Sequence, residues 1–519
     1  MTAIARVIND HLVVQTSNPG QIRAVFPSVR EAQVKGQNVC ALPFSLEAAR
    51  ILNNIGIPAP SPVRTQYDWP GRFTPKPHQV HTAEFLTLNS RAFCLNGMGA
   101  GKSISALWSA DYLQRTKKVG KVLIVAPLST LDPTWAHEIF CNFPLKRFAL
   151  LHGSRQKRLD LLATNQDIYI INHDGVEIIA EELLKRQDID LVILDELAVY
   201  RNQRTARWKT MNTVLNKCGF TRHVWGLTGA PTPNEPTDAY AQMKLLKPEN
   251  YKGHFTSFKN ETMYQITQFK WVPRKGSEEI VNRILKPSIR YALADCVDLP
   301  ETIYSDRYVP LTPEQAKHYR ELLNMAVTEI QGSTVTAVNA AVLVSKIVQA
   351  SLGVLYGADG SVLKIDYGPR ISLVKDLIEE CAQKVLVFVP LTGALNAVAA
   401  ELRKKWSVEI IDGSTSVTQR NRIFQDFRQT KDPHVIVANA AAMSHGLTLT
   451  EASTIIWYGP AFSNDVYNQA NARIVRPGQK HITHIVHIYA TPEERRIYNV
   501  LKEKGRLQDA VLELAKEGK

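Results

Sequence analysis

AFCLNGMGAGKSISALW, residues 92–108, decides the fold. It starts as an apolar strand end, Ala92 to Leu95, and passes through Gly97, Gly99 and Gly101. It then reaches Gly101-Lys102-Ser103 and leaves as a helix. Glycines let a backbone approach an anion closely, and a helix N-terminus offers free N–H groups to it. A lysine and a hydroxyl residue placed there suit the β and γ phosphates of a nucleotide and its Mg²⁺. The strict pattern GxxxxGK[ST] wants glycine where this chain has Asn96, so the loop is a variant. A tight glycine turn with an exposed lysine is the bland alternative, and the strand–loop–helix context argues against it.

The surroundings alternate in the same way. KVLIVAP (121–127), DIYIIN (167–172) and LVILDE (191–196) are continuous apolar runs separated by helical patterns, as expected for a parallel sheet covered on both faces. A second alternating block starts near 366, with strands KVLVFVP, VEIID, HVIVAN and TIIWYG. The expected fold class is α/β: two RecA-like parallel-sheet lobes, a helical insert and a small N-terminal α/β module. The module spans 1–57, with strands LVVQT and VCALPF and a helix SLEAARILNNIG capped by Ser45. A proline-punctuated linker follows at 58–77, extended and without helix. Lobe one takes 78–245, the helical insert and interlobe link 246–365, and lobe two 366–519.

In LVILDELAVY, Asp195 and Glu196 fall at the C-terminal end of a buried strand, where α/β ligand sites form. Asp195 would hold Mg²⁺ through water, together with Ser103, and Glu196 would orient and deprotonate an attacking water. Alone, Asp-Glu after an apolar strand is a common surface turn. Placed one half-domain beyond a phosphate loop, it reads as the second catalytic element.

Composition bounds the partners. Lys and Arg exceed Asp and Glu by 62 − 49 = 13, which suits a polyanion such as nucleic acid and equally a solvated basic surface. Six scattered cysteines (40, 94, 141, 218, 296, 381) form no CxxC and argue against a disulfide or zinc framework. The N-terminus lacks a signal-peptide pattern, and no run of 18 apolar residues exists. The expectation is a soluble, cytoplasmic monomer without membrane contact, in the host cytoplasm if the chain is phage-encoded.

The order of motifs resembles the Swi/Snf-related ATPases of helicase superfamily two over about residues 73–505. PHQ (77–79) is similar to the adenine-reading motif, and GMGAGKS to motif I. VLIVAPLSTLDPTWAHEI (122–139) and LHGSRQKR (151–158) resemble nucleic-acid segments. DELA resembles motif II, LTGAPTPN (227–234) motif III, and LPETIYSDRYVPLTPEQAKHY the link between lobes. In the second block, IDGSTSVTQR (411–420), VANAAAMSHGLTLTEAS (437–453) and QANARIVRPGQ (469–479) complete the series, the last two similar to motifs V and VI. The tyrosine–tryptophan entry at 67–73 is most similar to compact phage or bacterial members and to HARP-type annealing helicases.

The resemblance implies an ATP hydrolase that uses ATP and Mg²⁺ and moves on duplex or branched DNA without reading sequence. A strand-separating helicase and a protein remodeller that uses DNA as a track are the alternatives. Gln79, Gly97, Gly99, Ala100, Gly101, Lys102, Ser103 and Gly446 would hold the nucleotide. Lys102, Asp195, Glu196, Arg473 and Arg476 would be catalytic, with Arg476 as the arginine finger. The loop with Pro127, Leu128 and Trp135 would touch the DNA backbone. Ser129, Thr130, Arg155, Lys157, Arg158, Arg201, Arg204, Ser414 and Thr448 are the candidate phosphate contacts, with Arg207 and Lys209 beside them. Two departures stand out: Ala198 where motif II usually has histidine, and Asn96-Gly97 where an acidic pair often precedes motif I.

Overall fold

A computed structural model describes residues 4–34, 36–216, 223–267, 270–296, 298–332, 345–357, 361–443 and 448–503. They form two compact units, residues 1–296 and 297–519.

The first unit opens with four antiparallel strands, β1 (Ile4–Ile8), β2 (His11–Gln15), β3 (Arg30–Val34) and β4 (Gln37–Pro43), in the order β1-β2-β4-β3. Leu12, Val14, Cys40 and Leu42 alternate inward and meet Ile22 of helix Pro19–Val25 and Ala48, Ala49 and Leu52 of helix Leu46–Asn54. Ser45 caps that second helix by accepting from the Ala48 N–H at 3.1 Å. β3 is exposed along its whole length, so REAQV carries no alternation that a sequence reading could detect. The module is docked: Arg50 donates through Nε and a terminal nitrogen to the Thr87 carbonyl at 2.9 and 2.7 Å.

The proline-rich stretch 58–77 differs from the expected helix-free linker. Pro62, with φ of −59°, caps a helical turn at Val63–Gln66, a position where the fixed proline φ favours helix. Tyr67 then donates to the buried Asp111 carboxylate at 2.6 Å. Trp69 stands edge-on to Trp108, whose indole donates to Pro70 O at 2.9 Å. Apolar rings turn the stretch into a strap packed on the sheet's helices.

The main sheet of this unit is parallel throughout. Its strands are β5 (Arg91–Cys94), β6 (Lys121–Ala126), β7 (Phe148–Leu150), β8 (Ile168–Asn172), β9 (Ile189–Asp195) and β10 (His223–Leu227). After a hairpin, β11 (Met263–Thr267) and β12 (Lys270–Pro273), the short β13 (Ser288–Ile289) joins the edge. The order is β13-β5-β10-β9-β6-β8-β7. Leu123, Val125, Val192 and Leu194 enter one core, while Val122, Ile124, Leu191 and Ile193 enter the other. That double burial is the reason the strands read as unbroken apolar runs.

The second unit has its own parallel sheet: β14 (Thr302–Tyr308), β17 (Lys384–Phe388), β18 (Val408–Ile411), β19 (Val435–Ala438), β20 (Ala452–Trp457) and β21 (Thr483–Tyr489). Its order is β14-β21-β20-β17-β19-β18, and a hairpin of β15 (Val354–Tyr356) and β16 (Val362–Lys364) lies between the first two in sequence. The stretch 246–365 is divided between the two units. Residues to 296 complete the first unit through β13, and β14 supplies an edge of the second sheet. Both strands escaped the sequence reading because β13 is two residues long and β14 is largely exposed. Among the described residues no helix is long and apolar enough to cross a membrane.

Candidate nucleotide site and nucleic-acid interface

β5 runs straight into the glycine loop. Gly99 and Gly101 have φ of 80° and 75°, left-handed values that glycine adopts without steric cost. A Cβ at Gly101 would also meet the Gln79 amide, the movable end of a side chain, so it is the left-handed backbone that favours glycine there. The Gly97 N–H donates to Tyr291 O at 2.8 Å, and Ala100, fully buried, accepts from His78 Nε2 at 3.1 Å. Burial holds the His78 pKa below its ordinary value, against the opposing effect of this bond. Helix Lys102–Arg115 starts at the loop's end. Lys102 Nζ donates to two loop carbonyls, Asn96 O at 2.9 Å and Gly97 O at 3.1 Å.

Asn96, the variant position, is completely buried. Its amide donates to Thr82 Oγ1 at 2.9 Å and accepts from the Tyr291 N–H at 3.0 Å. Gln79 Oε1 accepts from the Lys76 N–H at 2.9 Å, closing the helix start. On the adjoining face of that helix a cavity of about 560 Å³ is lined by Trp69, Pro77, Val80, His81 and Glu84.

Sheet order does the assembling. β5, β10 and β9 are neighbours, so the glycine loop, Thr228 and Asp195-Glu196 follow three adjacent strand ends. The Thr228 N–H donates to Cys94 O at 3.0 Å, and Gly229 packs against the backbone of Asn96 and Met98. Thr228 Oγ1 donates to Glu196 Oε1 at 3.1 Å. Glu196 sits in left-handed backbone with φ of 54° and ψ of 57°, a costly conformation for a residue with a Cβ. Asp195 accepts from Trp135 Nε1 at 2.9 Å on one oxygen and from the Glu196 N–H at 3.0 Å on the other. Burial raises its pKa, while the Trp135 bond and the nearby Lys102 charge act in the opposite direction. Ala198 is buried, and Tyr200 two residues on meets the buried His173 Nδ1 at 3.0 Å.

These groups fit a magnesium nucleotide by their chemistry. The loop's left-handed glycines set its backbone path, a helix begins behind it, and a lysine rests on the loop's own carbonyls. Ser103, in the first turn, and Asp195, two strands away, are hard oxygen donors of the kind Mg²⁺ takes.

In the second unit, Arg473 is 5% exposed and Arg476 is half-buried. Burial pushes their guanidinium pKa values down to about 9 and about 10, and the charge of Arg476 adds to the effect on Arg473. Gln469 donates to Asp465 at 2.9 Å and Gln479 to Ala452 O at 2.9 Å, so both amides serve the local fold. Thr448 is half-buried, and Gly446 lies outside the described residues.

The candidate phosphate contacts divide. Arg155 and Lys157 are exposed on the first turn of helix Arg155–Ala163; Arg201 and Arg204 are exposed after DELA, as is Lys209. Ser414 is exposed and donates to Asp412 at 2.7 Å, and Ser129 is half-buried. Arg158 is a correction: it is 5% exposed and donates to Gly153 O at 2.9 Å, Leu151 O at 2.5 Å and Asn172 Oδ1 at 3.1 Å. Its donors are taken up by acceptors of its own unit. Thr130 is another, being buried with its hydroxyl on Pro127 O at 3.0 Å. Arg207 pairs with Asp174 at 2.9 Å. Trp135 is fully buried and faces Asp195, so it is no part of a DNA-touching surface. The sequence carried no signal of that bond beyond the need of a buried carboxylate for donors.

A phosphate loop and an acidic pair on adjacent ends of one parallel sheet, followed by a second parallel-sheet unit with a desolvated arginine pair, define a two-lobed RecA-like phosphate-loop protein. The chain belongs to the SNF2-related family: residues 78–352 match the SNF2-related domain and residues 369–478 the helicase conserved C-terminal domain. It is 24% identical over 419 residues to an uncharacterized ATP-dependent helicase of Mycoplasma genitalium, covering 79% of this chain and 39% of that protein. It is 23% identical to protein p41 of Acyrthosiphon pisum secondary endosymbiont phage 1, covering 86% and 99%. It is 25% identical to the SWI/SNF-related matrix-associated actin-dependent regulator of chromatin subfamily A-like protein 1 of Xenopus tropicalis, covering 78% and 41%. The chain thus spans about two fifths of the helicase and the chromatin regulator, and nearly all of the phage protein.

Proposed function

We propose that the chain is a DNA-dependent ATPase that translocates on duplex or branched DNA. The carrying observation is the sequence of neighbouring strand ends β5-β10-β9, which brings Lys102, Thr228, Asp195 and Glu196 together. Lys102 leaves its two loop carbonyls to neutralise the β and γ phosphates, and the loop and helix N–H groups hold them. Ser103 and Asp195 would hold Mg²⁺, which when bound would supply positive charge against that developing on the phosphates. Glu196, oriented by the Thr228 hydroxyl, positions water and accepts its proton. Arg473 and Arg476 are the cations proposed for the transferring phosphoryl group, with Arg476 as the finger. Arg155, Lys157, Arg201 and Arg204 provide charge for a sequence-independent backbone contact.

The deciding experiment measures ATP turnover with single-stranded, duplex and forked DNA and with RNA, at two salt concentrations. Stimulation by duplex or forked DNA, together with displacement of a triplex-forming strand, supports the reading. Displacement of one strand of a duplex makes the chain a strand-separating helicase. Turnover indifferent to DNA overturns both. Strand annealing and fork remodelling are read in the same assay by rewinding of a bubble substrate.

A further inference from the structure

The segment after β6 has an uncommon path. Leu128–Thr130 forms a single 3₁₀ turn, Leu131–Ala136 a π-helical turn, and helix His137–Asn142 follows. A π turn widens the helix and redirects its side chains, and such turns gather at functional sites. Here Trp135 is turned inward until it is 0% exposed, with its indole N–H on Asp195 Oδ2 at 2.9 Å. An indole has one donor and no acceptor, so that bond is its entire polar role. Seven residues earlier Leu128 is 44% exposed, and Thr130 clamps the start of the turn to Pro127 O at 3.0 Å. One short segment therefore joins an exposed strand-end loop to an acidic side chain on β9.

We propose that Trp135 is a positioning residue that sets the rotamer of Asp195 and makes it depend on the path of the 128–136 segment. Both Asp195 oxygens already accept one bond, from Trp135 and from the Glu196 N–H. The Glu196 bond is to the adjacent residue and moves with the strand end; the Trp135 bond alone ties the carboxylate to the neighbouring segment. A nucleic-acid backbone pressing on the exposed loop shifts the π turn and with it the indole. Occupancy of the loop is thereby transmitted to the metal-holding carboxylate through one hydrogen bond. The inference rests on the reading of Asp195 as the holder of Mg²⁺ beside a bound nucleotide.

Two substitutions at position 135 test it in the full chain. Trp135→Phe removes the donor and some volume; 3-benzothienylalanine at the same position replaces N–H by sulfur and keeps the shape. One readout is the Mg²⁺ concentration that half-saturates binding of a fluorescent ADP analogue. The other is the ratio of ATP turnover with and without a duplex oligonucleotide. Both variants should raise the Mg²⁺ requirement about tenfold, the scale of losing a hydrogen bond to a charged group. Both should also lower the DNA stimulation ratio while leaving duplex affinity as it is. A wild-type Mg²⁺ requirement in the benzothienyl protein overturns the positioning role, and wild-type stimulation overturns the link to the loop. Failure of Trp135→Phe alone to fold leaves the benzothienyl protein to decide. A parent chain that binds no magnesium nucleotide overturns the underlying reading instead.

Discussion

The Asn96 amide donates to Thr82 Oγ1 at 2.9 Å and so bolts the first residue of the phosphate loop to the helix Pro77–Leu88. Its carbonyl oxygen receives the Tyr291 N–H at 3.0 Å, from the segment just after β13. The asparagine that looks like a departure from the glycine pattern is a buried three-way joint. Asn96→Gly would match the pattern better and remove both bonds, one to the buried Thr82 hydroxyl and one from the part-buried Tyr291 N–H, at a cost of about 1 kcal/mol each. The expected result is a lower melting temperature, by roughly 2–4 °C per kcal/mol for a unit of this size. Thermal unfolding followed by circular dichroism checks this; a variant as stable as the parent removes the joint.

Glu196 and Thr228 give a graded prediction. Glu196→Gln keeps size and left-handed backbone but loses the base, so turnover should fall by about 10²–10⁴ while nucleotide binding persists. Thr228→Val removes only the hydroxyl that orients Glu196, and a fall nearer tenfold is expected. Single-turnover hydrolysis beside equilibrium nucleotide binding separates the steps. Equal losses in the two variants would mean that Thr228 does more than orient.

Arg158 and its neighbours separate structure from contact. Arg158→Ala removes three hydrogen bonds, the one to Leu151 O fully buried, and should destabilise the first unit by about 1–3 kcal/mol. Arg155→Ala and Lys157→Ala, both exposed, should change stability by less than about 0.5 kcal/mol. Each should reduce the slope of log affinity for duplex DNA against log salt by up to about one unit. Denaturant melts and salt titrations of binding report the two effects independently. An unchanged salt slope removes that residue from the interface.

The sequence disclosed those parts of the molecule whose physics is local. Unbroken apolar runs mark strands buried on both faces, and β5, β6, β9, β17 and β19 carry that signature in full. The loop of Gly97–Ser103 declares itself because its backbone and its ligand chemistry are written in consecutive residues. What stayed hidden depends on partners distant in sequence. β14 gains its place from β21, some 180 residues later, and its own face is exposed. Arg155, Lys157 and Arg158 read alike until helix phase turns the third inward. Trp135 looks like part of a surface loop because nothing in its neighbourhood announces a bond to Asp195.

Burial lowers the pKa of His78, His223, His434 and His487, and the two most strongly lowered, His487 and His223, dominate the acid sensitivity of the fold. His487 is fully buried, with Nδ1 at 3.0 Å from Asp306 and Nε2 at 2.8 Å from the Tyr467 hydroxyl. Burial holds its pKa down to about 4, against an ordinary 6.5, and Lys502 nearby adds to this. The unfolded chain therefore binds the proton first on acidification. Stability is complete above pH 6.5 and declines as pH falls toward 4. The ceiling is (6.5 − 4) × 1.36, about 3 kcal/mol. His223, in the first unit beside Arg50, is also lowered to about 4 and slopes in the same direction. Melting temperatures from pH 7.5 to 4 should show the decline, and His487→Gln should flatten most of the second unit's share, leaving the smaller part due to His434. A profile as steep in His487→Gln as in the parent would remove His487 as its source.

Arg473 and Arg476 are poised against their own fold. Both are desolvated, and the charge of Arg476 depresses the pKa of Arg473 further, so the folded unit bears a cost for keeping two cations close. A ligand that brings negative charge relieves that cost, which is what a site for a transferring phosphoryl group requires. Removing one cation should therefore spare stability while destroying function. Arg476→Ala is expected to melt at or above the parent temperature, with ATP turnover lowered by about 10³ or more, the scale of an arginine finger. Arg476→Lys keeps the charge but loses the planar fork and should recover little of the rate. Addition of sulfate should raise the melting temperature of the parent more than that of Arg476→Ala. Thermal melts and steady-state turnover on the same preparations check both halves. A clear loss of stability in Arg476→Ala would make the arginine a structural residue and remove it from catalysis.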